Sequence, residues 1–353
     1  MDPHAHNKRQ LAAMLQRLSE SDGTDIDTAL AAHCVPDTLW RVFHPFNDLH
    51  GNAEAAGRLW APLRASFPDW EARMAFFIAG EYEGRECVST WGVMMGNLTA
   101  PWLGIAPTHG LCALRLGINA VFDAGRIVKV YVLLDVIDLM RQAGYYPLRR
   151  MPGSAEAWAF PPCDSGASAS TVDAALGAVT LTAVREMQMG LAKGDDLKNL
   201  AGTRSKHSPH WHRNMMWYGP AGIGSSRGQK GFLDFHGALF IQAFPDREGI
   251  VRDATGPEDR PGHYIRVGDG HFAVTAGWPS LYGTHLGGQW LGLAPSGKRV
   301  EMRVADWYRT DRDGKIIDNW VMIDLLHILD QIGLDVLDDL RYIVDPALNR
   351  WPG

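Results

Sequence analysis

Asp324 and Asp306, together with His236 and His285, are the residues of this chain whose types and settings suit proton transfer. In a β-strand, residues i, i+2 and i+4 share one face. A strand from Lys315 to Ile323 therefore puts Asp324 on the face of Met322, Trp320 and Asp318. A carboxylate among Trp and Met is desolvated and its pKa rises, which is what acid/base work near neutral pH requires. Asp306 shares a face with Val304 and Tyr308, and two carboxyls in one pocket push each other's pKa values apart, giving one acid and one base. The competing reading of Asp324 is a cap on the helix that begins at Leu325. His236 lies on a helix beside Phe232, Phe235 and Phe240, where a histidine is also a common core residue. His285 sits in the Gly-rich loop Tyr282 to Gly288, within reach of a pocket mouth. Trp217, Tyr218, Trp278, Trp307, Trp320, Met322 and His327 complete the candidate set as walls for an apolar ligand, although the tryptophans would serve equally well as core.

Other patterns carry less. His207-Ser-Pro-His210-Trp-His212 offers three imidazoles, but no regular element places all three on one face and no Cys or carboxylate cluster accompanies them. It is expected to be a turn or pocket rim, with no metal. Gly222-Ile-Gly-Ser-Ser-Arg-Gly228 lacks the Lys-Ser/Thr ending of a phosphate loop. Gly224-Ser-Ser-Arg-Gly228 within it has the G-x-S-x-G spacing but follows no clear strand, which argues against an α/β-hydrolase.

The elements that must position these residues occur twice. Gly125 to Gly144 aligns without gaps on Gly314 to Gly333, with six of 20 positions identical. Trp102-Leu-Gly-Ile-Ala-Pro107 matches Trp290-Leu-Gly-Leu-Ala-Pro295, and Phe67-Pro-Asp69 matches Phe244-Pro-Asp246, in the same order. This is the mark of a duplicated domain. The expected layout is a first copy over 1–150, a linker over 151–171 rich in Pro, Ser, Ala and Gly, and a second copy over 172–345 carrying the active pocket. Each copy starts with helices: apolar spacing over Lys8 to Leu18 and Val172 to Leu191, then second helices over Gly57 to Phe67 and Gly231 to Phe244. Strand signals follow at Phe272 to Ala276, Val300 to Tyr308 and Lys315 to Ile323, with a turn at Asp311 to Gly314. Helices followed by hairpin-linked strands indicate an α+β class. The second copy keeps ionisable residues where the first has neutral ones: His236 falls opposite Leu59, His285 opposite Asn97, and Asp306 in a region matching Gly117-Ile118. Asp135, the counterpart of Asp324, lacks such partners, which makes its half the lesser site.

The chain of 353 residues has 34 Lys and Arg against 40 Asp and Glu, a net charge of -6, which excludes a generally basic nucleic-acid-coating protein. At 46% hydrophobic and 21% charged residues it has the composition of a globular protein, and dominant disorder is excluded. Four dispersed cysteines give no disulfide scaffold. The segment Met1 to Arg9 has no secretory apolar stretch and no 18-residue apolar run exists. The expectation is a cytoplasmic protein with neither membrane nor nucleic-acid partner.

The run Gly314-Lys-Ile-Ile-Asp-Asn-Trp-Val-Met-Ile-Asp-Leu-Leu-His-Ile-Leu-Asp-Gln-Ile-Gly333 resembles the C-terminal signature of SnoaL-like polyketide cyclases, within the nuclear-transport-factor-2-like superfamily. The stretches Trp217 to Pro220, Phe235 to Arg247, Gly277 to His285 and Trp290 to Pro295 resemble the same family. The resemblance implies two tandem cones, each a curved, mostly antiparallel sheet wrapped around its helices with a pocket at the open end. It implies an Asp acid/base reaction such as intramolecular aldol closure, with no metal or organic cofactor, on a small apolar carbonyl compound. Because such proteins are commonly homodimers, the tandem copies could form an internal pseudo-dimer. A non-catalytic protein that merely holds an apolar ligand in the same cone is the alternative.

Overall fold

The computed structural model describes residues 2–149, 151–155, 157–161, 168–192, 208–249, 263–287 and 290–342. They group into two compact units. One comprises Met1–Ala79, Glu83–Pro147 and Leu325–Gly353; the other comprises Gly80–Tyr82 and Leu148–Asp324.

The first unit opens with α1 (Pro3–Glu20), where Asp2 caps the first turn through His4 N and Leu11, Met14, Leu15 and Leu18 form the buried stripe. After α2 (Ile26–Ala31) come β1 (Cys34–Val42) and β2 (Asn47–His50). The second helix is longer than its apolar spacing suggests and is not α-helical throughout. It runs α3 (Gly51–Ala55), a π-helical turn at Ala56–Trp60, and α4 (Ala61–Ser66). Strands β3 (Glu71–Tyr82), β4 (Arg85–Asn97), β5 (Leu111–Asp123) and β6 (Arg126–Leu134) precede α5 (Val136–Gln142).

The second unit repeats this with α6 (Ala174–Ala192), β7 (Trp211–Tyr218), β8 (Ser226–Arg227) and α7 (Gly228–Phe232). A π-helical turn at Leu233–Gly237, α8 (Ala238–Ala243), β9 (His263–Asp269), β10 (Phe272–Thr284), β11 (Arg299–Thr310) and β12 (Ile316–Ile323) follow. The final helix α9 (Leu325–Ile332) begins where its sequence predicts and stops at Gly333, whose φ is +92°. By contacts, α9 groups with the first unit.

The sheet orders are β2-β1-β6-β5-β4-β3 and β8-β7-β12-β11-β10-β9. Strand for strand they are the same, so the duplication visible in the sequence is a duplication of the fold. Each sheet is antiparallel except where its first long strand joins its last: β1 runs parallel to β6, and β7 to β12. The registers agree as well. Leu116 pairs with Leu134 and Ile118 with Val132 in one unit; Val304 pairs with Ile323 and Asp306 with Val321 in the other.

Candidate functional site

The cavity of the second unit lies between its helices and one face of its sheet, and holds about 110 Å³. A single water needs ~10–15 Å³ by the same measure, so there is room for more than solvent. Its walls are chiefly apolar, including Trp211, Trp217, Phe232, Phe240, Ile241, Leu281, Trp290, Met302, Val304, Val321 and Ile323. Into them project Gln188, His236, Arg247, His263, Ser280, Asp306, Tyr308 and Asn319.

Strand alternation decides which candidates reach it. On β11 and β12 the cross-strand pairs Val304–Ile323, Asp306–Val321 and Tyr308–Asn319 all line the cavity. The intervening pairs, Ala305–Met322, Trp307–Trp320 and Arg309–Asp318, lie on the opposite face. Asp306 therefore points into the cavity, and Asp324 does not. Asp324 belongs to the opposite face, where its Oδ2 lies 3.3 Å from Arg303 Nη1 with side chains 1% and 9% exposed. Its backbone N–H donates to Arg303 O at 3.0 Å. Asp135 does the same in the first unit: its carboxylate is 2.5 Å from Arg115 Nη2, both 2% exposed, and its N–H donates to Arg115 O. The Asp at this point of the repeat is thus a buried ion-pair partner in both copies. The placement expected for Asp324 fails because one strand's alternation fixes which residues share a face, not which face meets the cavity.

Several companions of Asp324 share its fate. Trp320, Met322 and Trp307 are fully buried away from the cavity. Trp320 stacks on Tyr218 at 5.4 Å and donates from Nε1 to Ala159 O at 2.8 Å. Tyr218 donates to Asp318 at 3.3 Å, and Trp278 lies under the Arg303 guanidinium, 4.8 Å from its ring centre. His285 is buried against Phe244, 5.5 Å between rings, and its Nδ1 accepts from Ser296 N at 3.3 Å. It fastens a loop rather than meeting the cavity. His327, on α9, lies in the first unit, 6.1 Å from the His44 ring. Of the predicted walls, Trp217 lines the cavity.

His236 lines it as well. The π-helical turn sets its ring against Trp217, 4.3 Å between centroids and 16° between planes, with Phe240 on another side at 5.6 Å. Its Nδ1 has no hydrogen-bond partner among the described residues. Burial in this aromatic sandwich pushes the imidazole down to about 3, so it is neutral at ordinary pH. π-Helical turns recur at functional sites because the extra residue re-aims a side chain.

Asp306 is the group these surroundings change most usefully. Burial pushes its carboxyl up to about 7, against the opposing pull of hydrogen bonds from Asn319 and Tyr308. Asn319 Nδ2 donates to Asp306 Oδ1 at 3.5 Å. The Tyr308 hydroxyl donates to the same carboxyl, and burial together with Asp306 raises its own pKa far above the phenol range. Behind it, Gln188 Nε2 donates to Tyr308 OH at 3.3 Å and to Thr275 Oγ1 at 2.8 Å. His263, pushed down to about 3 by burial and by Arg266, takes a 2.9 Å contact from Arg266. Tyr308, Asn319, Gln188, His263 and Arg247 were not among the residues expected here. Tyr308 had a signal, two positions from Asp306 on one strand face.

Among the described residues no group of three or more His, Cys, Asp or Glu could hold a metal ion. His210 and His212 do not converge: His210 lies 3.8 Å from Glu186, and His212 Nδ1 accepts from Asn214 N. His207 lies outside the described residues.

Comparison with known proteins adds the following. No curated protein sequence matches the chain. Solved structures are similar to one copy's worth of it. A protein of Jannaschia sp. CCS1, assigned as a SnoaL-like polyketide cyclase, is 14% identical over 42% of this chain and 97% of its own, TM-score 0.35. IdmH of Streptomyces antibioticus, assigned as a polyketide cyclase, is 19% identical over 41% of this chain and all of its own, TM-score 0.33. An NTF2-like protein of Burkholderia pseudomallei is 14% identical over 40% and 98%, TM-score 0.32. The family description that fits the sequence itself is the SnoaL-like polyketide cyclase, whose model matches residues 269–332, the span from the end of β9 through α9 that includes Asp306, Tyr308 and Asn319.

Proposed function

We propose that the cavity of the second unit binds a small, mostly apolar carbonyl compound and that Asp306 moves a proton beside that carbonyl, as in a cofactor-independent cyclase or isomerase. One observation carries the reading: a carboxyl raised to about 7 faces an apolar, aromatic-walled cavity in a segment similar to the SnoaL-like cyclases. Such a carboxyl is both available as a base and strong enough as an acid near neutrality.

The ionised Asp306 takes a proton from the carbon next to the carbonyl. The C–H electrons become the C=C bond of an enolate, and the carbonyl π electrons move onto oxygen. Tyr308 and Asn319 hold the carboxylate in place through their hydrogen bonds. Neutral His236, pinned by Trp217 and Phe240, presents an imidazole that can donate to the enolate oxygen. Where a further C=C bond is conjugated with the enolate, returning the proton at the far end of that dienolate shifts the double bond and gives isomerisation. Attack of the enolate on a second carbonyl of the same molecule forms a C–C bond, and Asp306 protonates the resulting alkoxide. In either case no proton is gained or lost overall.

The test uses 2-tetralone, an enolisable bicyclic ketone, in deuterium oxide, with exchange followed by NMR. Wild type should accelerate exchange, and Asp306→Asn should lose about 10²–10⁴-fold of that acceleration. The base form is the active one, so the rate should rise with pH through about 7. Equal exchange in wild type and Asp306→Asn would reject the reading. If Asp306→Asn binds 2-tetralone as wild type does and neither exchanges it, the pocket is a binding site only. A cytoplasmic location is part of the same proposal, checked by fractionation of the native host; the described residues include no helix long and apolar enough to cross a membrane.

A further inference from the structure

The Tyr308 hydroxyl has one proton to give and two lone pairs with which to accept. Gln188 Nε2, on α6, donates to its oxygen at 3.3 Å, and the Thr275 hydroxyl, on β10, donates to it as well. With both lone pairs taken, the Tyr308 proton is left for the Asp306 carboxyl. The second hydrogen of the Gln188 amide goes to Thr275 Oγ1 at 2.8 Å, which leaves the Thr275 proton for Tyr308. Thr275 is the cross-strand partner of Asp306, and directly opposed residues lie on one face of a sheet. One buried side chain from the helix thus sets the direction of two hydroxyl protons beside the acid.

The first unit has the same strands without these donors. Leu11, Met14 and Leu15 of α1 have the buried spacing of Val184, Met187 and Gln188 of α6, so Leu15 holds the place of Gln188. Ala120 stands at that of Tyr308 and Ile118 at that of Asp306. Thr90, across from Ile118 as Thr275 is from Asp306, gives its proton to Phe76 O at 2.7 Å. The threonine is common to both copies; its link to a tyrosine and a carboxyl goes with the glutamine.

We propose that Gln188 is a positioning residue for Asp306: it fixes the Tyr308 hydroxyl as a donor to the carboxylate and so sets the pH range in which that carboxylate can act as a base. This rests on Asp306 being the proton-transfer group, as proposed above, and adds what holds it in its working state. A hydrogen bond given to the charged form favours that form. Without Gln188, the Tyr308 proton can turn toward Thr275 and leave the carboxylate to Asn319, which raises the Asp306 pKa further. Among the described residues lining the cavity, the other titratable groups are Tyr308 on the same strand, His236 on the π-helical turn, His263 on β9 and Arg247 beyond α8. The lining residues of α6, β10 and β12 carry no titratable side chain. Burial keeps both imidazoles neutral down to about 3 and Tyr308 protonated far above neutrality, and a guanidinium keeps its proton. Of this set, Asp306 is the group that changes charge near neutral pH.

The test is a pH titration of the full-length chain labelled with carbon-13 at the aspartate side-chain carboxyl, with the Asp306 resonance assigned by its loss in Asp306→Asn. Wild type should titrate at about 7. Gln188→Leu, which installs the residue of the first copy, should titrate about half to one unit higher, and Gln188→Met, similar in length but lacking the donor, should do the same. Exchange of 2-tetralone by either variant should fall about three- to tenfold at pH 6, and the deficit should shrink as pH rises past the new midpoint. Tyr308→Phe should raise the midpoint by itself, and adding Gln188→Leu to it should move it no further, because Gln188 acts through Tyr308. A side chain that served packing alone would change stability in urea and leave the midpoint where it was. An unchanged midpoint in Gln188→Leu and Gln188→Met overturns the proposal, as does a second shift of equal size on top of Tyr308→Phe. The titration needs no turnover, so it fails separately from the reaction. A midpoint that moves while no form exchanges 2-tetralone keeps the role of Gln188 and sinks the chemistry. Exchange that is lost in Asp306→Asn, with a midpoint indifferent to Gln188, does the reverse.

Discussion

Trp60 stacks on Trp70 in the first unit, while Gly237 and Arg247 stand at the same two places in the second and line its cavity. The rest of the frame is held constant. Both units have the same strand order, the same ion pair from the end of the last strand to its neighbour, and a π-helical turn at the same point of the second helix. The other differences follow the same line: Leu59 holds the position of His236, Ile118 that of Asp306, Ala120 that of Tyr308, and Val130 that of Asn319. The backbone that carries the candidate chemistry thus stands without it in the first unit. What distinguishes the site is a handful of side chains, two of which matter by being small or charged where their counterparts are large and aromatic.

That contrast can be tested by making one unit resemble the other. The largest effect should come from Gly237→Trp with Arg247→Trp, which rebuilds the Trp60–Trp70 pair in the second unit. Binding of 2-tetralone should fall by about a hundredfold or more, because filling the pocket removes the contacts worth ~1.5–3 kcal/mol per buried side chain. Retained affinity would show that the ligand binds elsewhere.

The ion pairs come next. Asp135→Ala takes the ion-pair carboxylate from a fully buried Arg115, whose neighbour Asp138 is already bonded to Arg141, and should cost about 3–5 kcal/mol in urea unfolding. Asp324→Ala should cost less, about 1–3 kcal/mol, because Arg303 keeps Glu301 at 3.5 Å and the face of Trp278. A larger cost at Asp324 would contradict the burial order of the two pairs.

A smaller effect is expected from pH. The Asp306 pKa is higher folded than unfolded, so its contribution favours the folded state below the unfolded value near 3.8 and is lost as pH rises through about 7. Asp306→Asn should therefore melt above wild type at pH 8, with the gap shrinking toward pH 5. His236 and His263 titrate in both proteins and cancel from the difference. A gap that widens as pH falls would reverse the assignment.

The smallest contrast should be at the turns. Asp69→Ala and Asp246→Ala each remove an exposed carboxylate that holds the backbone N–H and the side chain of Asn97 and of Thr284, respectively. Each should cost about 1 kcal/mol, equally in the two units. Unequal losses would mean the turns are not equivalent and would weaken the match of Arg247 to Trp70.

Much of this frame can be read from residue order alone. The repeat shows because Gly, Asp, Trp and Pro at turns and strand ends are held by backbone geometry, which both copies share. His236 and Asp306 stand out because their counterparts are Leu and Ile, and an ionisable residue in an apolar slot is costly unless used. The cavity face of β12 is harder to read. Both faces of that strand are buried, so Asn319-Trp320-Val321-Met322-Ile323 shows no polar alternation from which to choose a side. Asp324, flanked by Trp and Met, has the look of a pocket acid while serving as a partner for Arg303. Arg247 is hidden for another reason: after Phe-Pro-Asp, an Arg looks like a solvated turn residue until Trp70 at the matching place shows that the position faces inward.

The parallel join between first and last long strands has a kinetic consequence. Trp40 lies beside Val130, and Trp217 beside Asn319, so neither sheet can be completed until nearly all of its copy has been synthesised. Closing loops of that length is entropically expensive before any pairing repays it, which slows folding. On a ribosome the sheet of the first copy can close while the second is still being translated. The second must wait for β12, so chains stopped before Ile316 should expose β7 as an unpaired edge and be the species that aggregates or is degraded.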